Sequence, residues 1–167
     1  MKTKRTNITA AAPLVLLAFF AVLAATVLLT GATLYRSRTE SGQIAWEKRT
    51  ASRYLSMRIR QSDTAGAFFV GDFDTKAPGG SGDTFFALEM HDGVLYSTRI
   101  YVWEGKLCEL FAPHDADFDR GDGEVLTALS DLHFTLAGDR LGARLRFADG
   151  TEQELFFTMR SSGEALP

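Results

Sequence analysis

From Ala10 to Tyr35 the chain carries no charged side chain, and Pro13 to Leu29 is almost wholly aliphatic and aromatic. Pro13 to Leu34 is 22 residues, which at about 1.5 Å rise each span roughly 33 Å, enough for a hydrocarbon core of about 30 Å. A transmembrane helix over residues 10–35 is predicted. A cleaved secretory signal is the alternative reading, with Lys2, Lys4 and Arg5 as its basic region and Thr30-Gly31-Ala32 as small residues for a peptidase. The apolar run is longer than the usual signal core of about 7 to 15 residues, which favours an anchor.

Beyond it, Ile44, Ala51, Tyr54, Leu55 and Ile59 fall on one helical stripe, while Lys48, Arg49, Arg53 and Arg60 lie largely elsewhere. Residues 36–63 are therefore predicted as an amphipathic stalk helix, with Trp46 off the stripe. Ser62, Asp63, Thr64 and Gly66 supply the stop.

After Gly66 the period changes from 3.6 to 2. Ala67 to Phe73 is a short strand candidate, and Lys76 to Asp83, rich in glycine, is expected to hold no regular structure. Thr84 to His91, Val94 to Trp103 and Lys106 to Ala112 then read as a meander joined by tight turns at Asp92-Gly93 and Glu104-Gly105. Both faces of the middle strand carry aromatics, so the pattern does not decide which is buried. Val125 to Ser130 fits a helical turn or a strand. Leu132 to Leu136, Leu141 to Phe147 and Glu152 to Met159 give three further strands, in which Leu141, Ala143, Leu145 and Phe147 alternate with Gly142, Arg144 and Arg146. That alternation predicts one dry and one wet face. The whole is an α+β expectation: a long N-terminal helix packed on an antiparallel sheet of about six to seven strands.

Charge adds a polarity that the net value of -3 conceals. Residues 36–63 hold seven basic and three acidic side chains, whereas residues 64–167 hold eight basic and eighteen acidic. An acidic head does not suit a nucleic-acid surface, which needs clustered cations facing phosphates. Residues 1–9 form a short basic leader, placed in the cytoplasm, with residues 64–167 as one extracytoplasmic domain. The basic residues after the helix count against that orientation, but long domains translocate largely regardless of charge.

The candidate chemistry is sparse. Asp115, Asp117, Asp119, Asp122 and Glu124 concentrate oxygen ligands, yet the EF-hand register fails, because the sixth position from Asp115 is Arg120 and Gly121 comes one place late. A solvated loop is the expectation. Arg120-Gly121-Asp122 is the tripeptide of integrin ligands, though three residues carry almost no information. His91, His114 and His133 lack metal-ligand spacing, and none pairs with Cys108 or a serine. Cys108, among Leu107, Leu110 and Phe111, reads as a small core residue. Glu152 and Glu154 read as a solvent-facing row. The glycines at 79, 80 and 82 lack the helix and lysine of a phosphate loop. The expectation is no catalytic, cofactor or metal site, and no enzyme.

The basic leader, the membrane helix running into an amphipathic stalk, the glycine-rich loop and the meander together resemble the pilin-like subunits of type IV pili, type II secretion and Gram-positive competence systems. The closest likeness among them is to minor pseudopilins, the run Val125 to Leu136 through Leu141 to Phe147 being similar to their C-terminal sheet. The nearest fit is an uncharacterised Gram-positive family of single-pass proteins with degenerate pilin-like N-termini. Asn7-Ile-Thr-Ala-Ala-Ala-Pro13 departs from the family pattern in lacking the glycine before the apolar run and the glutamate five residues on. The resemblance implies a single-pass protein of the cell membrane, a structural or minor subunit of a pilus-like, secretion-like or competence-like assembly. Its partners would be lipid and other pilin-like chains. A solitary membrane-anchored binding module is the alternative.

Overall fold

The computed structural model describes residues 8–63, 68–75 and 78–160, with side chains at 8–12 and 32–41 left aside. The basic leader through residue 7, the stop signals at Thr64 and Gly66, Ala67, Lys76 and the last seven residues lie outside that range. The fold is α+β: helix α1 (Ile8–Ser62) and nine strands, β1 (Phe68–Gly71), β2 (Ser81–Gly82), β3 (Thr84–His91), β4 (Val94–Trp103), β5 (Lys106–Pro113), β6 (Glu124–Ala128), β7 (Asp131–Ala137), β8 (Arg140–Arg146) and β9 (Glu152–Thr158).

The chain divides into two compact units, Met1–Gln43 and Ile44–Pro167, and α1 contributes to both. Within the first, Pro13–Gly31 has a mean hydropathy of 2.6 and none of it is buried. It is long and apolar enough to cross a membrane. Thr26 and Thr30 do not interrupt it, because their hydroxyls donate to the carbonyls of Val22 and Thr26, one turn back.

In the second unit the predicted stripe is the buried face: Ala51, Leu55 and Ile59 are fully covered, Tyr54 partly so, and Trp46 is exposed. This face meets two antiparallel sheets, ordered β1-β3-β4-β5-β6 and β2-β7-β8-β9. One core joins all three layers, with Phe68, Val70, Phe85, Ile100 and Leu107 from the first sheet and Leu132, Phe134, Leu141, Ala143 and Leu145 from the second. Where one sheet of about six to seven strands is expected, the described residues form nine strands in two sheets.

Three local readings are settled by this arrangement. Residues 124–128 are a strand, with a bulge against Leu107 and Cys108. The glycine-rich segment is not wholly irregular: Ser81 and Gly82 pair with Thr135 and Phe134, and Gly79 bridges Val70, so it stitches one sheet to the other. The turns behave as expected, since Asp92-Gly93 and Glu104-Gly105 both take positive φ at their two central residues, the condition for a primed hairpin turn that matches strand twist.

Candidate functional site

The outer face of the first sheet explains why the middle strand shows no alternation. Ser97, Thr98, Arg99, Ile100 and Tyr101 are buried in succession. One side faces the common core, and on the other Phe73 and Phe118 pack with Tyr101, Cys108, Leu110 and Ala112. The acidic loop, residues 113–123, supplies the cover.

Arg99 is the pin. Its Nη2 donates to the carbonyls of His114 at 3.2 Å and Ala116 at 3.5 Å, and its guanidinium lies 5.3, 5.7 and 5.9 Å from the ring centroids of Phe73, Phe86 and Phe118. Burial pushes its pKa down, while Asp74, Tyr101 and Asp117 oppose the shift. A guanidinium keeps its charge even so, and desolvated stacking on aromatic faces is where such a cation is worth most.

A second cation closes the other end of the loop. Arg120 reaches Asp83 at 2.7 Å and sits 5.1 Å from the Phe73 ring, and its carbonyl accepts the Tyr101 hydroxyl at 2.7 Å. Residues 120–122 form a single 3-10 turn in which the Asp122 carboxylate accepts the Asp119 amide at 2.9 Å. The tripeptide therefore turns its arginine onto the chain's own Asp83 and Phe73. Gly123 completes the approach: a Cβ there would stand 2.3 Å from the Tyr101 hydroxyl oxygen.

Between these pins lie two openings. One, of about 180 Å³, is lined by Phe73, Asp74, Arg99, Asp117 and Phe118. The other, a groove of about 490 Å³, runs past Phe73, Asp74, Trp103, Phe118, Asp119 and Arg120. Aromatic rings beside carboxylates and a guanidinium are groups that recognise a partner or small polar ligand. Groups of three or more His, Cys, Asp or Glu side chains placed to hold a metal are absent among the described residues. Asp115, Asp117, Asp119, Asp122 and Glu124 are each exposed.

The remaining candidates are dispersed. His114 is buried with its ring edge-on to Phe69 at 5.8 Å. His91 is exposed beside Glu89, Tyr96 and Phe111. His133 lies on the outer face of the second sheet, where Glu152 and Glu154 form the expected solvent-facing row, paired with Arg146 and Arg144. Cys108 is buried, and burial pushes its thiol up. Gly79, Gly80 and Gly82 serve the sheet junction.

A polar contact that the sequence pattern did not mark joins α1 to β5. Tyr54 donates to Glu109 Oε2, and Arg58 donates to Glu109 Oε1 and, at 3.2 Å, to the Tyr54 hydroxyl. The one signal in the sequence is the i, i+4 spacing of Tyr54 and Arg58; nothing local points to Glu109. Burial first, then the bond to Glu109, pushes Tyr54 up to about 12.

Among known proteins, residues 46–146 match the family described as Domain of unknown function (DUF4860), a stretch from the buried part of α1 through β8. No curated protein and no solved structure matches the chain.

Proposed function

We propose that this chain, which belongs to the family described as Domain of unknown function (DUF4860), is a single-pass, non-enzymatic subunit of a pilus-like, secretion-like or competence-like membrane assembly. The observation that carries the reading is the section Pro13–Gly31, whose apolar surface is unburied by the chain itself. Such a surface is stable only in lipid or against other apolar helices. The leader is cytoplasmic and the sheet domain extracytoplasmic in this reading.

The second unit supports the same role. Its helical section buries one stripe and leaves Trp46, Arg49, Arg53, Met57 and Arg60 exposed, a surface that neighbouring subunits can use. Exposed ion pairs are worth only about 0 to 1 kcal/mol each, so these arginines steer association more than they tighten it. The head takes part of the basic surface for itself, since Lys48 bonds Asp149 at 2.7 Å.

Reversing Arg49, Arg53 and Arg60 together to glutamate tests the reading in cells that express the neighbouring genes. Cross-linking to pilin-like partners should fall while the protein stays in the membrane fraction. Unchanged cross-linking, or capture of no partner by the parent chain, would favour the second reading: a solitary membrane-anchored module that binds a ligand. The groove at Phe73, Trp103, Phe118 and Arg120 is the observation that favours that alternative.

A further inference from the structure

Of the four strands that end the two sheets, three are poor templates for another chain. β1 has four residues and is bridged by Gly79, β2 has two, and β6 has five with a bulge in its register. Short edges and bulges discourage pairing. β9 differs: its seven residues run in unbroken register along β8, with neither proline nor bulge.

The direction of its free backbone groups can be read from both of its ends. The Met159 amide donates to Asp139, and the Thr151 carbonyl accepts from Phe147, so odd-numbered residues turn their hydrogen-bonding groups toward β8. By alternation, Glu152, Glu154, Phe156 and Thr158 turn theirs to the open edge. Among the described residues nothing pairs with them.

The side chains along this edge are compatible with their own image. Glu152 and Glu154 are already matched by Arg146 at 3.4 Å and Arg144 at 3.3 Å, so the edge is not strongly acidic. Phe156 is 76 % exposed and lies against Gly142. A two-fold axis perpendicular to the sheet places residues on the same face opposite one another. Centring it on Gln153 or Glu154 sets glutamates facing glutamates, and centring it on Leu155 sets Glu154 against Phe156. Centring it on Phe156 stacks the two rings, sets half-buried Leu155 against half-buried Phe157 on the core side, and puts Glu154 opposite Thr158.

We infer that β9 is a docking edge for a second copy of this chain, pairing antiparallel about Phe156 to join two four-stranded sheets into one of eight. The inference is independent of how the chain is anchored. Cross-strand aromatic and aliphatic pairs, with backbone bonds from Glu154, Phe156 and Thr158, supply the contact.

The test uses the full chain in membranes, where buried Cys108 leaves an introduced thiol as the reactive one. Phe156→Cys, whose thiol would face its own image, and a Glu154→Cys/Thr158→Cys chain, whose two thiols would each face one of the partner copy's, should give a covalent dimer with a short bismaleimide. His133→Cys, two strands in from the edge, should not. Glu154→Pro removes an amide that faces the open edge and none that faces β8. Added to Phe156→Cys, it should lower the dimer yield to that of the His133→Cys control while the head keeps its protease resistance. The inference is overturned if neither β9 variant yields a dimer, if His133→Cys cross-links equally well, if the product contains a different protein, or if the dimer appears only after residues 161–167 are deleted.

Discussion

Tyr54 on α1 and Glu109 on β5 meet across the interface of helix and sheet, 55 positions apart in sequence. The same carboxylate holds Arg58, so one side chain of the sheet satisfies two of the helix. The carboxylate side chain is only 14 % exposed against 33 % for the guanidinium, so of the two charges it is Glu109 that depends more on its partners than on water.

Glu109→Gln is expected to destabilise the head by about 1 to 3 kcal/mol, because it exchanges two charge-assisted hydrogen bonds for neutral ones at best. The amide it introduces turns a donor toward a donor on Arg58. Urea denaturation of the full chain in detergent, followed by tryptophan fluorescence, measures the loss. Combining the change with Arg58→Met should cost less than the two separate losses added together, because the shared contact is already gone. Simple additivity would show that Arg58 and Glu109 act independently.

Alkaline pH should weaken the fold through two phenols. Burial is the main cause that pushes both Tyr54 and Tyr101 up to about 12 from 10.0. A phenol that binds its proton more tightly when folded contributes its stability in full below pH 10, and the contribution vanishes as the pH rises through 12. The melting temperature should fall across that window, and Tyr54→Phe with Tyr101→Phe should flatten the fall. Asp149 acts at the other extreme: its bonds from Lys48 and Thr151 hold it at about 2, so its contribution is present above 3.8 and fades as the pH drops toward 2.

Arg99→Lys should not substitute for arginine. A lysine ammonium, a compact point charge, cannot sit among Phe73, Phe86 and Phe118 and reach the carbonyls of His114 and Ala116 as the broad guanidinium does. Limited proteolysis is expected to cut within residues 113–123 several times faster in Arg99→Lys and in Arg99→Met, with the rest of the head remaining resistant. Equal cutting rates in the parent and both variants would remove Arg99 from its role as the pin of the loop.

Gly123→Ala should cost about 1 to 3 kcal/mol, as overpacking does, because the added methyl would overlap the Tyr101 hydroxyl and stand 3.2 Å from the Glu109 carbonyl. Tyr101→Phe in the same chain removes the first of these obstacles and should recover part of the loss. A melting temperature for Gly123→Ala equal to that of the parent would mean that the loop does not approach the sheet this closely.

The sequence by itself determined what short-range physics controls. The charge-free run fixed the apolar section of α1, a period of 3.6 marked Ala51, Leu55 and Ile59 as its buried face in the head, and Asp-Gly and Glu-Gly pairs placed the hairpin turns of the first sheet within a residue or so. Alternation in β8 separated core from solvent at every position but Gly142, because the outer face of that strand is covered only there, by Phe156 and Thr135. The tertiary structure decided the rest, where burial depends on a segment remote in the chain. Alternation fails in β4 because a loop that follows β5 dries its second face, which turns Arg99 from a surface cation into a buried one. Glu109 becomes the anchor of α1 only when the helix crosses it, and Ser81-Gly82 becomes a strand only because β7 offers free backbone groups beside it. No local pattern encodes such pairings, since each is stabilised by a partner tens of residues away.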